Sequence, residues 1–406
     1  MNLTTAIFLS MAAGAALGFL APAFALQLSP LTTIFLRLVQ AIIAPLILGG
    51  LITGMAGAGG GKAMGRIGLK SLVFFQIVTV VVLLLALGAG NLFRPGDGLH
   101  MRGTAAAIET PQITWQSILE QSVPTSVFDA MAQGQMLQLV VFAALFGAAC
   151  AAIGDRARPV VGFFSALNDV MFQFTHSVMY AAPFGIGAAM ATTIARGGWG
   201  VFANFGRLIA AEYSALAALL LFFYLPLMLA ARIPIGAFLS AIREPFAIAF
   251  ATTASGAALP VAMEKMEAFG VPRPILNLVM PLGFCFNTAG SSLHILLSCL
   301  FLAQAVDIPL NAASQWTMFA VLLVMTKGVA AVPRTTLVVI IGVLTAWGVP
   351  LDALPVLLGV DAVLDMFRTS VNLIGNCLAP ALIARTEGTH FPVASAPTPE
   401  TPVQTR

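Results

Sequence analysis

Six stretches of this chain stay apolar long enough to cross a lipid bilayer, and they limit the fold before any motif is read. They lie near 3–26, 34–56, 68–93, 136–153, 159–196 and 200–231. A crossing helix needs about 20 apolar residues. Inside hydrocarbon every backbone N–H and C=O must be satisfied within the protein, so such runs form helices. Composition agrees: 59% of the 406 residues are hydrophobic and 9% are charged, against roughly 25% charged in a soluble domain. Too few charges remain to cover a water-soluble surface, so the chain reads as an all-helical polytopic membrane protein. The first run has no basic residue before Arg37. It therefore reads as a retained helix rather than a signal peptide.

The polar breaks give the orientation. Those at 57–70, 154–158, 232–243 and 264–273, with the C-terminal end, hold eleven of the nineteen Lys and Arg residues; 94–102 and 196–207 hold four. Basic residues stay on the cytoplasmic side. Both termini are therefore expected inside the cell, in the plasma (inner) membrane. Residues 95–135 read as a polar loop with short amphipathic pieces. Residues 386–406, rich in Pro, Thr and Ser, read as a disordered cytoplasmic tail.

The second half departs from plain spanning helices. Phe246–Val261 carries Thr252, Thr253, Ala254, Ser255 and Gly256 at its centre. Met318–Trp347 carries Thr326, Lys327, Gly328, then Pro333, Arg334, Thr335 and Thr336. Two readings stand. Either these are re-entrant hairpins whose broken tips line a cavity, or they are ordinary helices with small-residue packing faces. Asn287-Thr288-Ala289-Gly290-Ser291, inside the apolar span 274–304, points to local unwinding that frees carbonyl oxygens.

The most informative stretch is 359–385. It is apolar except for Asp361, Asp365, Arg368, Thr369, Asn372 and Asn376. At 100° per residue, positions 361, 365, 368, 372 and 376 share a sector of roughly 80°, with Thr369 beside it. Charges at membrane depth are costly and face a protein cavity or a partner. One reading is an ion-pair network between helices. The other is a ligand site. Arg368 offers a planar fork for a carboxylate, Asp365 an acceptor for an ammonium, and Asn372 a group that serves ligand or ion. That chemistry fits a zwitterion with an additional carboxylate.

Other chemistries find little support. The net charge of +3 comes with no basic cluster, so no nucleic-acid partner is expected. The four cysteines (Cys150, Cys285, Cys299, Cys377) sit singly in apolar runs and read as small buried hydrophobes. His100, His176, His294 and His390 form no constellation with a nucleophile or metal ligands, so no enzyme, metal centre or cofactor is expected. His294 reads as a packed, hydrogen-bonded residue or as a group that titrates near neutrality.

These residues resemble the dicarboxylate/amino acid:cation symporter family, the glutamate transporter homologues. The resemblance runs from about 3 to 387. It includes Phe35-Leu36-Arg37-Leu38 with Pro45, Pro124-Thr125, Thr252 to Pro260, Asn287 to Ser291, Lys327-Gly328-Val329-Ala330, and above all Asp361 to Asn376. It implies eight transmembrane helices plus two re-entrant hairpins, a homotrimer, and a transport domain moving like an elevator against a scaffold. Residues 1–231 would hold helices 1–6, with helices 3 and 6 in the transport domain; 232–385 would hold hairpin 1, helix 7, hairpin 2 and helix 8.

Carried over residue by residue, Asp365 matches the position that binds the substrate amino group, and Arg368 the one for its side-chain carboxylate. Thr369, Asn372 and Ser291 match further contacts. Ala254 and Ser255 stand at the first hairpin tip, Val332 and Pro333 at the second. Asn287, Asp361, Asn372 and Asn376 are the candidates for coupling to a cation or proton.

The departures bear on that coupling. Sodium-coupled members have acids where this chain has Ala289 and Asn376, and Tyr and Thr where it has Phe75 and Val78. Asn376 and Lys327-Gly328 look like the proton-coupled bacterial branch, although that branch keeps the acid at the position of Ala289. Arg334 and Phe367 replace glycines near the pocket. The expectation is a symporter for glutamate or aspartate, driven by protons. Alternatives are a C4-dicarboxylate or neutral amino acid symporter, with sodium coupling open, and, in another class, a passive anion channel. Accumulation against a gradient separates the channel from the rest.

Overall fold

The computed structural model describes residues 3–56, 62–99, 123–133, 136–198, 200–253, 255–326, 336–389 and 391. Every long element among them is helical: α1 (Leu3–Leu20), α2 (Pro22–Gln27), α3 (Ser29–Ala56), α4 (Lys62–Phe93), α5 (Val127–Ala132), α6 (Met136–Ile153), α7 (Arg158–Met179), α8 (Ala182–Gly197), α9 (Gly200–Leu219), α10 (Leu225–Ala230), α11 (Ile235–Thr252), α12 (Ser255–Ala268), α13 (Arg273–Phe286), α14 (Ala289–Ala305), α15 (Ala312–Met325), α16 (Thr336–Ala346) and α17 (Leu354–Thr386). A π turn, Leu220–Tyr224, joins α9 to α10.

The spans Gly65–Phe93, Gly200–Ala230 and Arg273–Ala305 are long and apolar enough to cross a membrane. The first two leave much of their surface open, with Leu69, Val73, Ile77 and Leu84 exposed along α4. The third is 88% buried, so it faces protein.

Contacts sort the helices into two groups. The helices α1, α2, α3, α6, α7 and α8 pack with one another, while α4, α9, α11, α12, α13 and α14 surround α17; α8 touches both groups. The α1–α8 contact is built from small residues. A Cβ at Gly14 would strike the Gly187 carbonyl oxygen, and one at Gly18 would lie 2.6 Å from that of Ala191. Glycines four apart let the backbones approach at this depth.

The apolar run 159–196 is interrupted at Tyr180 and Ala181. Pro183 stands in the first turn of α8, where it has no N–H for the carbonyl four residues back and its ring crowds that carbonyl, so the preceding helix does not run through it. The first interrupted segment is a helix pair. Thr253 adopts a left-handed conformation (φ 52°) at the end of α11, a geometry uncommon for a residue with a Cβ. The two helices α11 and α12 then pack on each other and on α17. The second interrupted segment differs. Its turn, 327–335, lies outside the described residues, and its arms make their main contacts elsewhere: α16 with α14, and α15 with α4 and α6.

The first residues expected in a loose tail are held down. Arg66 and Lys70 of α4 pair with Glu387, the latter at 2.6 Å, and Phe391 packs on Phe269 with ring centroids 4.8 Å apart. The Lys70 and Arg66 hydrogen bonds hold the Glu387 carboxyl below the usual carboxylate range. A depressed folded value stabilises above the unfolded one, about 4.3, and that contribution is lost as pH falls through the folded value. Protection of the amides at 385–389 against hydrogen exchange, corrected for the intrinsic pH dependence, is expected to stay constant near neutrality and to fall in acid. Glu387→Gln should show the low protection at all pH values; wild-type protection in that variant would contradict the anchoring role.

Candidate functional site

The helix α17 carries the polar stripe into the protein. Asp361, Arg368 and Asn376 are 1% exposed or less, and Asp365 and Thr369 are buried beside them. Among the largest fully buried side chains, Arg368 is the one that bears a charge. Its Nη1 donates to Asp361 Oδ1 at 2.9 Å, its Nε to Asp365 Oδ1 at 3.0 Å, and its Nη2 to Thr336 Oγ1 of α16 at 3.3 Å. Thr369 Oγ1 also donates to Asp365 Oδ1, at 3.0 Å. A guanidinium has five N–H donors, and the described residues use three of them. The fork that the sequence reads as open to a carboxylate is instead held at both edges by the chain's own carboxylates.

The break between α13 and α14 is stitched to the same face. Asn287 and Thr288 leave helical geometry there. Asn287 Nδ2 donates to Asn376 Oδ1 at 2.8 Å and to the Asn372 carbonyl at 3.1 Å. The Gly290 amide donates to Asn372 Oδ1 at 2.7 Å, and Asn372 Nδ2 to Ser291 Oγ at 3.1 Å. Thr288 Oγ1 donates to the Thr326 carbonyl at 3.1 Å, which ties the break to the end of α15. An unwound turn thus spends its freed amide on an asparagine of α17.

Gly290 makes this approach feasible. A Cβ there would lie 2.5 Å from the Arg368 carbonyl oxygen and 2.9 Å from its Cα. These are backbone atoms and cannot swing away. Gly290→Ala is expected to cost about 1–3 kcal/mol by overpacking and to displace Arg368. Its thermal midpoint in detergent and its substrate affinity should both fall. Gly206→Ala, where a Cβ meets nothing within 4 Å, is the control. A Gly290→Ala protein that melts and binds like that control would contradict the packing.

Eight candidates therefore come together: Asn287, Ser291, Asp361, Asp365, Arg368, Thr369, Asn372 and Asn376. Ser255 is buried at the start of α12 and makes no hydrogen bond with this network among the described residues. Ala254, Val332 and Pro333 lie outside the described residues, as do Lys327, Gly328 and Arg334.

The departures have places too. Phe75 and Val78 are buried on α4. A Cβ on Gly283 would touch both Asn376 Oδ1, at 2.8 Å, and the Phe75 ring, at 3.3 Å. An apolar ring therefore sits close by the Asn287–Asn376 pair. Phe367 stacks on Tyr213 of α9 with centroids 4.8 Å apart, and Tyr213 donates its hydroxyl to the Val363 carbonyl at 2.8 Å.

Four residues to which sequence reasoning gave no role at the site belong to this region. Besides Tyr213, Thr336 holds Arg368, and Tyr224 of the π turn brings its hydroxyl within 2.5 Å of where a Gly375 Cβ would stand. The fourth is Glu212, fully buried on α9, whose Oε2 lies 2.7 Å from His294 Nδ1. A lone acid in the apolar run 200–231 was the signal that could have found it.

Comparison with known proteins bears on the chain as a whole. The model of the sodium:dicarboxylate symporter family matches residues 3–386. The proton/sodium-glutamate symport protein of Bacillus subtilis (strain 168) is 36% identical over 96% of this chain and 94% of its own length. The proton/glutamate-aspartate symporter of Escherichia coli (strain K12) is 34% identical over 89% of this chain and 85% of its own. A C4-dicarboxylate transport protein of Anaeromyxobacter sp. (strain K) is 36% identical over 94% and 89%.

Proposed function

The chain belongs to the sodium:dicarboxylate symporter family, and on that premise we propose that it carries glutamate or aspartate into the cell together with a proton. The observation that carries this reading is the buried Asp361–Arg368–Asp365 cluster. A substrate carboxylate takes the remaining N–H donors of Arg368, and its ammonium takes Asp365. Thr369, Asn372 and Ser291 line the same face; the family resemblance would add Ser255, and with it Ala254, Val332 and Pro333, which lie outside the described residues. A zwitterion brings charge of both signs, so neither Asp365 nor Arg368 is left without compensation in a low-dielectric site.

Coupling follows from what the cation region lacks. Ala289, Phe75 and Val78 offer no side-chain oxygen, and Asn376 is neutral. A sodium ion stripped of water needs oxygen ligands and anionic charge to offset its lost hydration. A proton needs one titratable group. Asn287, Asn372 and Asn376 bind one another here, and we assign them to holding the break.

Movement is of the elevator kind within a homotrimer, both termini cytoplasmic. The helices around α17 form the travelling part, and α1, α2, α3, α6, α7 and α8 the scaffold. This keeps the third and sixth spans, α4 and α9, with the transport core.

A second reading, a C4-dicarboxylate carrier, is favoured by the Anaeromyxobacter relative. Asp365 weighs against it, because a dicarboxylate brings no cation to that carboxylate. The test is uptake of labelled glutamate into proteoliposomes, competed with aspartate, succinate and alanine. Competition by aspartate alone is expected. Strong competition by succinate and none by aspartate would overturn the substrate assignment.

A further inference from the structure

A buried line of titratable groups runs into the binding arginine from the side away from the unwound turn. Glu212 of α9, His294 of α14 and Asp361 of α17 are each 0% exposed. Glu212 Oε2 lies 2.7 Å from His294 Nδ1, and His294 Nε2 lies 3.5 Å from Asp361 Oδ1. That same Asp361 oxygen accepts from Arg368 Nη1 at 2.9 Å. Ser298 Oγ stands 3.3 Å from His294 Nε2.

The chemistry of the line is constrained. A carboxylate accepts, so His294 Nδ1 carries the hydrogen that goes to Glu212. The second ring nitrogen then faces Asp361 Oδ1. Unprotonated, it aims a lone pair toward a carboxylate. Protonated, it aims an N–H. Glu212 Oε1 has no hydrogen-bond partner among the described residues, so the end of the line is a buried polar oxygen left unpaired in a dry interior, which is costly.

The surroundings supply little else. Of the elements packed against α14, α9 brings Glu212 and Tyr213, and α17 brings Asp361, Asp365 and Arg368. The helices α15 and α16 carry no charged residue. On α4 the basic residues Arg66 and Lys70 pair with Glu387, which is 26 residues beyond Asp361, roughly 39 Å along a helix, and Lys62 stands a turn further away at the start of that helix.

We propose that His294, held by Glu212, is the seat of the coupled proton, bound at Nε2 against Asp361. The proposal rests on the proton-coupled amino acid reading above. Coupling is then local. With Nε2 bare, Asp361 and Asp365 together hold Arg368 and oppose a third carboxylate. A proton on Nε2 turns the imidazole into a cation that shares Asp361. The hold on the guanidinium weakens, and the substrate carboxylate takes its place. Charge agrees with this order. An acidic amino acid brings one net negative charge and the proton one positive, so the buried cluster keeps its net charge when both are bound. By linkage each ligand raises the affinity for the other. Glu212 is a positioning residue. Its contact with Nδ1 fixes the imidazole tautomer and orientation.

The experiment uses purified full-length protein in weakly buffered solution with a pH-indicating dye and with L-glutamate and L-aspartate as probes. Wild-type protein is expected to take up protons when either amino acid binds, and its affinity to rise toward tenfold per unit fall in pH over part of the range. In His294→Gln the proton uptake should vanish, and whatever affinity remains should be independent of pH. In Glu212→Gln, which loosens the hold on Nδ1, the pH profile of affinity should change from that of the wild type. Should His294→Gln not fold, the Glu212→Gln profile decides, and an unchanged profile overturns the proposal. Wild-type proton uptake and pH slope in His294→Gln overturn it too, while leaving the transporter reading intact. Wild-type protein that binds neither amino acid would instead sink the substrate reading, and this inference with it.

Discussion

Arg368→Ala is expected to abolish binding and uptake of glutamate and aspartate. The guanidinium is 1% exposed and holds Asp361 and Asp365 on two of its nitrogens. Truncating one partner of a buried charge pair costs about 3–5 kcal/mol, or roughly 10²- to 10³-fold and more in affinity. Part of that loss is the charge left on two carboxylates with no cation between them, and part is the missing site for the substrate carboxylate. Arg368→Lys separates the two. It keeps a positive charge but not the fork that reaches both carboxylates and Thr336 at once. It should fold better than Arg368→Ala and still bind poorly. Binding by isothermal calorimetry and monodispersity in detergent check both points. Near-native affinity in Arg368→Ala would remove the residue from the site.

Asp365→Ser is expected to remove amino acid transport and to let plain dicarboxylates in. Asp365 Oδ1 accepts from both Arg368 Nε and Thr369. Without it a substrate ammonium has no anionic acceptor, and affinity for glutamate and aspartate should fall by about 10²-fold or more, the range of a lost buried charge pair. The guanidinium, relieved of one of its own carboxylates, then favours a dianion. Succinate should bind the variant better than the wild type. The measurement is competition of labelled substrate by succinate and aspartate on both proteins. A wild type that already prefers succinate would transfer this chain to the dicarboxylate reading.

The site was legible in the sequence to the extent that it follows one helical period. The residues from Asp361 to Asn376 share a face because 3.6 residues make a turn, and α17 buries that face. The break at Asn287 was legible as well, since Asn and Gly interrupt an otherwise apolar run. Neither signal says which side chains meet. Glu212 and His294 come from helices 82 residues apart, and no periodicity links them. Arg368 was read as open to a ligand because a stripe gives direction but not pairing; its nearest carboxylates lie on its own helix, one and two turns away. The split of 159–196 was marked by Pro183 and was hidden by unbroken hydrophobicity, which does not distinguish one long helix from two shorter ones. Both interrupted segments were legible from their small polar residues, but those residues do not dictate how the arms pack: α15 and α16 make their main contacts elsewhere, and the turn between them lies outside the described residues.

Coupled transport is the central claim, and setting the two gradients separately addresses it. Purified protein is reconstituted into liposomes in sodium-free buffer with an alkaline interior, and labelled glutamate or aspartate is followed. Accumulation above the external concentration is expected, collapsing when the pH gradient is dissipated. A sodium gradient at uniform pH should drive little. Accumulation driven by sodium alone, with none under the pH gradient, would contradict the proton assignment; equilibration without accumulation under either gradient would contradict symport itself.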